Sequence, residues 1–245
     1  MKHYKTEAVV IRAKDSGNGD KLMILFSKDQ GKIKAMAHGV AKPTSRKRGA
    51  VQLFSHSRFL ISKGRELDTI SQGELIEIFP FLWNNLERFA QASYLAELVD
   101  AFTPEGEPNS RIFTMLLKTL HRLADSDGEL LTRVFEIRLL TLSGFRPVLE
   151  HCANCQGQIT GQIVFSPGLG GILCEKCREV DSKAIQLNRG ALENMKLYLT
   201  WSIEKLHRVK NDPTTGNQIK QALQSYIRYT LERKLKSTDY ALLLI

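Results

Sequence analysis

The sequence predicts an α+β chain of several domains, and three observations carry that expectation. Five short strand-like runs precede Pro80 with no helical period among them, a helical period fills most of the remainder, and two C-x2-C pairs interrupt the helical part. At 245 residues, with 42% apolar and 25% charged side chains, the composition is that of a folded globular protein and excludes wholesale disorder.

Residues 6–13 are β-branched and apolar enough for a strand, and the Asp, Ser, Gly and Asn of 15–20 are a dense turn signal. Residues 21–27 form the next strand, and a turn at 29–31 leads into a third at 32–38. A loop at 40–50 separates this from strands at 51–62 and 67–78, joined across 63–66. So few strands leave open edges unless the sheet closes, and the five-stranded OB-fold barrel is the commonest closed answer. An SH3-like barrel or an open antiparallel sheet fits the same runs.

The chain carries a net charge of +9, and the charge is placed unevenly: residues 1–80 hold 15 Lys and Arg against 8 Asp and Glu. Such a balance implies an acidic partner, nucleic acid first and anionic membrane second. Period two along 32–38 sets Lys32, Lys34, Met36 and His38 on one face and Ile33, Ala35 and Ala37 on the other. Lys42, Arg46, Lys47 and Arg48 follow in the loop, and Arg58, Lys63 and Arg65 lie further on. These nine cations are the candidate nucleic-acid contacts; the competing reading is a solvated surface with no partner. Phe26, Phe54 and Phe59 are candidates to stack on unpaired bases, with barrel core as the alternative, strongest for Phe26. Loops 15–21 and 62–66 correspond to those with which OB barrels grip single strands.

Beyond Pro80, apolar residues recur at helical spacing from Leu86 to Val99, Ile112 to Leu123, Leu130 to Leu142, Leu192 to Leu206 and Ile219 to Leu231. Stripes of this kind are core, so they predict a helical bundle. Set into it, Cys152 and Cys155 are followed after eighteen residues by Cys174 and Cys177, the spacing of a four-thiolate zinc site. The strand-like 162–165 and the Gly-rich turn after it give this insert the layout of a zinc ribbon. Four cysteines leave no open coordination position, so one structural zinc is expected. The partition that follows is 1–79 barrel, 80–149 helical, 150–180 zinc insert and 181–245 helical.

No apolar run approaches the roughly 20 residues of a membrane span and no long apolar leader is present, so a cytoplasmic protein with reduced thiols and no membrane partner is expected. Nucleotide-binding glycine loops, G-x-S-x-G and H-E-x-x-H are missing and the six His are scattered, which leans against an enzyme.

The order of these parts resembles the RecO family of bacterial DNA repair and recombination mediators. The likeness is carried by Glu7-Ala8-Val9-Val10-Ile11-Arg12, Gly19-Asp20-Lys21, Gly31-Lys32-Ile33, Ala37-His38-Gly39-Val40, Gly144-Phe145-Arg146-Pro147 and Lys236-Ser237. It implies an OB-fold that binds single- and double-stranded DNA, anneals complementary strands, partners RecR, contacts the C-terminal tail of the single-stranded-DNA-binding protein SSB, and helps load RecA. It also implies a cytoplasmic, nucleoid-associated location. Two readings stand beside it: a zinc-stapled OB protein of ribosomal or transfer RNA, and a zinc-containing nucleic-acid enzyme.

Overall fold

The computed structural model describes residues 2–209 and 212–233, with Leu235 and Ser237; Lys236 of the resemblance lies outside the described residues. The chain separates into two compact units. The first runs to Asp125 and takes in Ser237, and the second is Ser126–Leu235.

In the first unit, β1 (His3–Asp15), β2 (Lys21–Ser27), β3 (Gly31–Ala37), β4 (His56–Ser62) and β5 (Asp68–Glu77) close into a barrel of order β1-β2-β3-β5-β4. All neighbours are antiparallel except β3 and β5, which pair parallel through Ala35↔Asp68 and Met36↔Thr69. This is the closed five-stranded OB barrel, and closure removes the edges that so small a sheet would otherwise expose. Val10, Met23, Leu25, Ile33, Phe59, Ile61 and Ile70 fill its interior. Along β3 burial alternates as expected, with Ile33, Ala35 and Ala37 inside and Lys32, Lys34 and Met36 on the outer face.

The expected strand at 51–62 begins only at His56. Residues 39–55 form a chain of tight turns instead. Lys42 N–H donates to Gly39 O, Ser45 to Lys42, Arg48 to Ser45, Val51 to Lys47 and Ser55 to Gln52. These donors are satisfied within the segment, while Phe54 N–H donates to Val10 O and Val10 N–H to Ser55 O, tying its end to β1. Val51 and Phe54, three apart, both turn inward, and Phe54 takes a left-handed φ of 67°. The alternation of Val51 and Leu53 hid this helical spacing.

After the barrel come α1 (Pro80–Trp83), α2 (Leu86–Phe102) and α3 (Ser110–Arg122). Asn85 and Asn109 cap α2 and α3 by accepting from the N–H groups of Arg88 and Ile112. α2 packs on β1, and the segment leaving it runs along β3, where Gly106 N–H donates to Lys32 O. The approach demands glycine at 31: a Cβ there would stand 2.1 Å from Glu107 O, and φ is +67°.

The second unit holds α4 (Gly128–Leu142), β6 (Ile163–Ser166), β7 (Gly171–Leu173), β8 (Ile185–Leu187), α5 (Arg189–Thr200) and α6 (Pro213–Leu231). α4, α5 and α6 pack on one another. The β6–β7 hairpin is the expected one, while β8, a third strand pairing β6, was not anticipated. The helix expected to reach Leu206 stops at Trp201, and a separate 3-10 segment, Ile203–Arg208, follows. Arg138 explains the stop: its guanidinium donates to Tyr198 O (2.7 Å) and to Trp201 O, carbonyls that a continuing helix would use. Among the described residues, no helix is long and apolar enough to cross a membrane.

Candidate nucleic-acid interface and metal centre

Asp20 builds the basic surface. At the end of the β1–β2 turn its carboxylate accepts from Gly39 N–H (2.7 Å) and from His38 Nδ1 (2.6 Å), while Ala41 N–H donates to Gly19 O (3.0 Å). The Gly39 N–H, then His38 and the charge of Lys42, hold the Asp20 carboxyl below its ordinary value. One carboxylate therefore ties the β1–β2 turn to the 39–55 turns, and the two make one surface.

The nine predicted cations divide on that framework. Lys42, Arg46 and Arg48 are exposed on the 39–55 turns, and Lys63 and Arg65 are exposed in the β4–β5 turn; none of the five enters an ion pair among the described residues. Lys47 is half-buried and donates to Ile70 O (3.0 Å), and burial lowers its ammonium below the ordinary lysine value. Lys32 reaches Asp100, with Nζ 2.6 Å from the carbonyl O and 3.0 Å from Oδ1, and its side chain is only 11% exposed. Lys34 pairs with Glu105 and Arg58 with Glu74 (3.3 Å), both at the surface.

Beside the 39–55 turns lies a trough of about 450 Å³, lined by the apolar Val40 and Leu53, by the polar Lys21, Arg48 and Gln52, and by Trp83. Lys21 shares its charge with Asp15 at 3.4 Å, in a pair open to solvent. Trp83 is 54% exposed; its ring rests on Phe89 (centroids 5.1 Å), which in turn meets the buried Phe54 edge-on (5.6 Å).

In the second unit, the Sγ atoms of Cys152, Cys155, Cys174 and Cys177 all lie within 4.8 Å of one another. Two short turns present them: Gln156 N–H donates to Cys152 O, and Cys177 N–H to Cys174 O. The hairpin is pressed onto its neighbour at Gly171, where a Cβ would meet Val148 at 2.7 Å. Cys155 and Cys174 are 3.8 Å apart at sulfur, far beyond the roughly 2.05 Å of a disulfide, and all four thiols are free. Burial opposes ionisation of Cys152, but the N–H groups of Cys155, Cys174 and Asn154 outweigh it and bring that thiol down to about 6. At Cys177 the Asn154 amide pulls the other way, and burial with the three neighbouring sulfurs pushes it up to about 11. Four sulfurs converging from two turns, with N–H groups aimed at them, form a donor set that fits a metal ion.

Residues 1–79 match the family described as Recombination protein O N terminal, and residues 84–239 that described as Recombination protein O C terminal. The chain belongs to the RecO family. It is similar to DNA repair protein RecO of Pelotomaculum thermopropionicum, at 51% identity over 97% of this chain and 93% of that one. The proteins of the same name from Desulforudis audaxviator and Desulforamulus reducens are 42% and 40% identical, each over 98% of this chain and 96% and 94% of theirs. RecO membership gives the chain a role in DNA repair and recombination.

For this RecO chain the three proposed stacking rings need correction. Phe26, Phe54 and Phe59 are buried, with at most 2% of their surface exposed, and none presents a face to a base. Sequence reasoning missed Trp83, which falls between the two matched RecO segments. Its spacing hid it, since Trp83 stands three residues before Leu86 and seven before Ala90, in step with that stripe; the signal that existed was the pair Asn84 and Asn85, which separates it from the helix.

Proposed function

We propose that this RecO-family chain is a non-enzymatic, DNA-binding recombination mediator. It binds single- and double-stranded DNA through the barrel, anneals complementary strands, and with RecR helps load RecA onto strands coated by SSB, whose C-terminal tail it contacts. The working partition is residues 1–79 as grip, 80–149 and 181–245 as helical body and 150–180 as metal-bearing insert. The observation that carries the reading is the group of exposed cations that enter no ion pair among the described residues, Lys42, Arg46, Arg48, Lys63 and Arg65, on the turns of an OB barrel. Lys47 lends charge from a half-buried position, and Lys32, Lys34 and Arg58 add positive potential that Asp100, Glu105 and Glu74 partly cancel.

Neutralising about five phosphates gives single-strand binding a log–log salt dependence near −3.5, at roughly −0.7 per phosphate. A slope near zero overturns the grip, and matched DNA and RNA oligomers in competition test whether DNA is the preferred partner. The four cysteines hold one zinc ion in a structural role: a tetrahedron with arms of about 2.3 Å has edges of about 3.8 Å, the separation between Cys155 and Cys174. One zinc per chain by elemental analysis, lost in Cys155→Ser along with part of the thermal stability of the second unit, is the expected result. A metal-free chain that melts at the same temperature overturns it.

A further inference from the structure

A trough lined by two cations and an exposed indole has the chemistry to hold one nucleotide. The phosphate suits Arg48 and Lys21, the base suits the exposed indole of Trp83, and Gln52 offers an amide to a base edge. Arg48 enters no ion pair among the described residues, and Lys21 is held only by the solvent-open Asp15. The indole is also positioned in advance. Phe89 packs against it at a tilt of 54° and in turn meets the buried Phe54, so less side-chain entropy remains to be lost when a base arrives. A duplex keeps its base faces stacked inside and cannot offer them to Trp83; an unpaired strand can.

We propose that this trough is a subsite for a single unpaired nucleotide, with the base stacked on Trp83 and its phosphate held by Arg48 and Lys21. The subsite gives the chain a preference for single strands. It rests on the DNA-binding reading above and deepens it.

Trp201→Phe leaves Trp83 as the only tryptophan and makes its emission the probe. That chain is titrated with an oligothymidylate of about eight nucleotides, within the span of one OB barrel, with an abasic strand of equal length, and with a blunt duplex. Anisotropy is followed in parallel. The thymidylate quenches Trp83 saturably with the midpoint seen by anisotropy, and the abasic strand and the duplex bind without quenching. Trp83→Ala weakens thymidylate binding by about 5- to 160-fold, as for loss of one base–aromatic stack. It leaves the salt slope unchanged and abolishes the preference over the abasic strand. Arg48→Ala reduces the slope by about 0.7. Thymidylate binding with no change in Trp83 emission, or equal quenching by all three ligands, overturns the subsite while the grip stands. Absence of binding to every strand overturns both. The emission arm decides the matter even where Trp83→Ala does not fold.

Discussion

The cations of β3 and those of the 39–55 turns read alike in the sequence, yet the fold uses them in different ways. Lys32 is drawn under the last turns of α2, where the Asp100 carbonyl and carboxylate both accept from its ammonium, at a helix end that already carries partial negative charge. Lys34 meets Glu105 on the same strap. Ten residues on, Lys42, Arg46 and Arg48 stand on turns held largely by their own backbone bonds, and none of the three enters an ion pair among the described residues. The difference teaches that a basic count locates a positive region without saying which charges belong to the architecture. What separates the two groups is whether another element crosses over them.

The comparison is sharpest at Lys32. Lys32→Ala leaves Asp100 with only the Arg12 guanidinium at 3.8 Å, and because that cation and partial solvent access remain, the loss stays below the roughly 3–5 kcal/mol of breaking a fully buried pair. Denaturant unfolding reads that loss, while the salt slope of DNA binding by the folded fraction stays as it was. If Lys32→Ala instead keeps full stability and weakens binding, the division between the two groups fails.

Next in size is the complementary change. Replacing Lys42, Arg46, Lys47 and Arg48 together with Ala lowers the magnitude of the salt slope by up to about 2.8, at roughly 0.7 for each phosphate no longer neutralised. The folding free energy moves by no more than about 1.5 kcal/mol, chiefly through removal of the Lys47 bond to Ile70 O. An unchanged slope removes the 39–55 turns from the interface.

Much of this was legible in the sequence, and what was not has identifiable causes. β-branched and apolar runs between turn signals located β1, β2 and β5, and period two located β3, whose alternate residues enter the closed core. The C-x2-C pairs located the metal centre, because the spacing is the chemistry. The start of β4 was misread because Val51 and Leu53 mimic alternation while the backbone turns tightly around them. The end of α5 was misread because its stop is imposed by Arg138, sixty residues earlier, rather than by a local breaker. The aromatic residues failed for a third reason. Phe26 and Phe59 took the core alternative, Phe59 inside the barrel and Phe26 on a strand covered on both faces, and Trp83 sits in the four-residue α1, too short to show a period of its own.

The smallest effect tests whether the exposed cations depend on Asp20 for their placing. Its carboxyl is held below the ordinary value in the folded chain, chiefly by Gly39 N–H. A group whose folded pKa is depressed stabilises the fold above its unfolded value near 4 and loses that contribution as pH falls through the folded value. The tie between the β1–β2 turn and Gly39 is therefore intact from neutral pH down to the ordinary carboxylate range and opens only below it. Amide hydrogen exchange at Gly39, corrected for intrinsic rates, follows this directly. Protection holds above about pH 4 and falls on further acidification, while protection in the β1–β2 ladder persists. Asp20→Asn removes the charge, reduces Gly39 protection at neutral pH and flattens its acid dependence. Because the turns then sample more positions, DNA affinity drops only modestly, and the salt slope keeps its value since every cation is still present. A slope that fell with Asp20→Asn would mean that the carboxylate fixes how many phosphates are engaged as well as the arrangement of the cations that engage them.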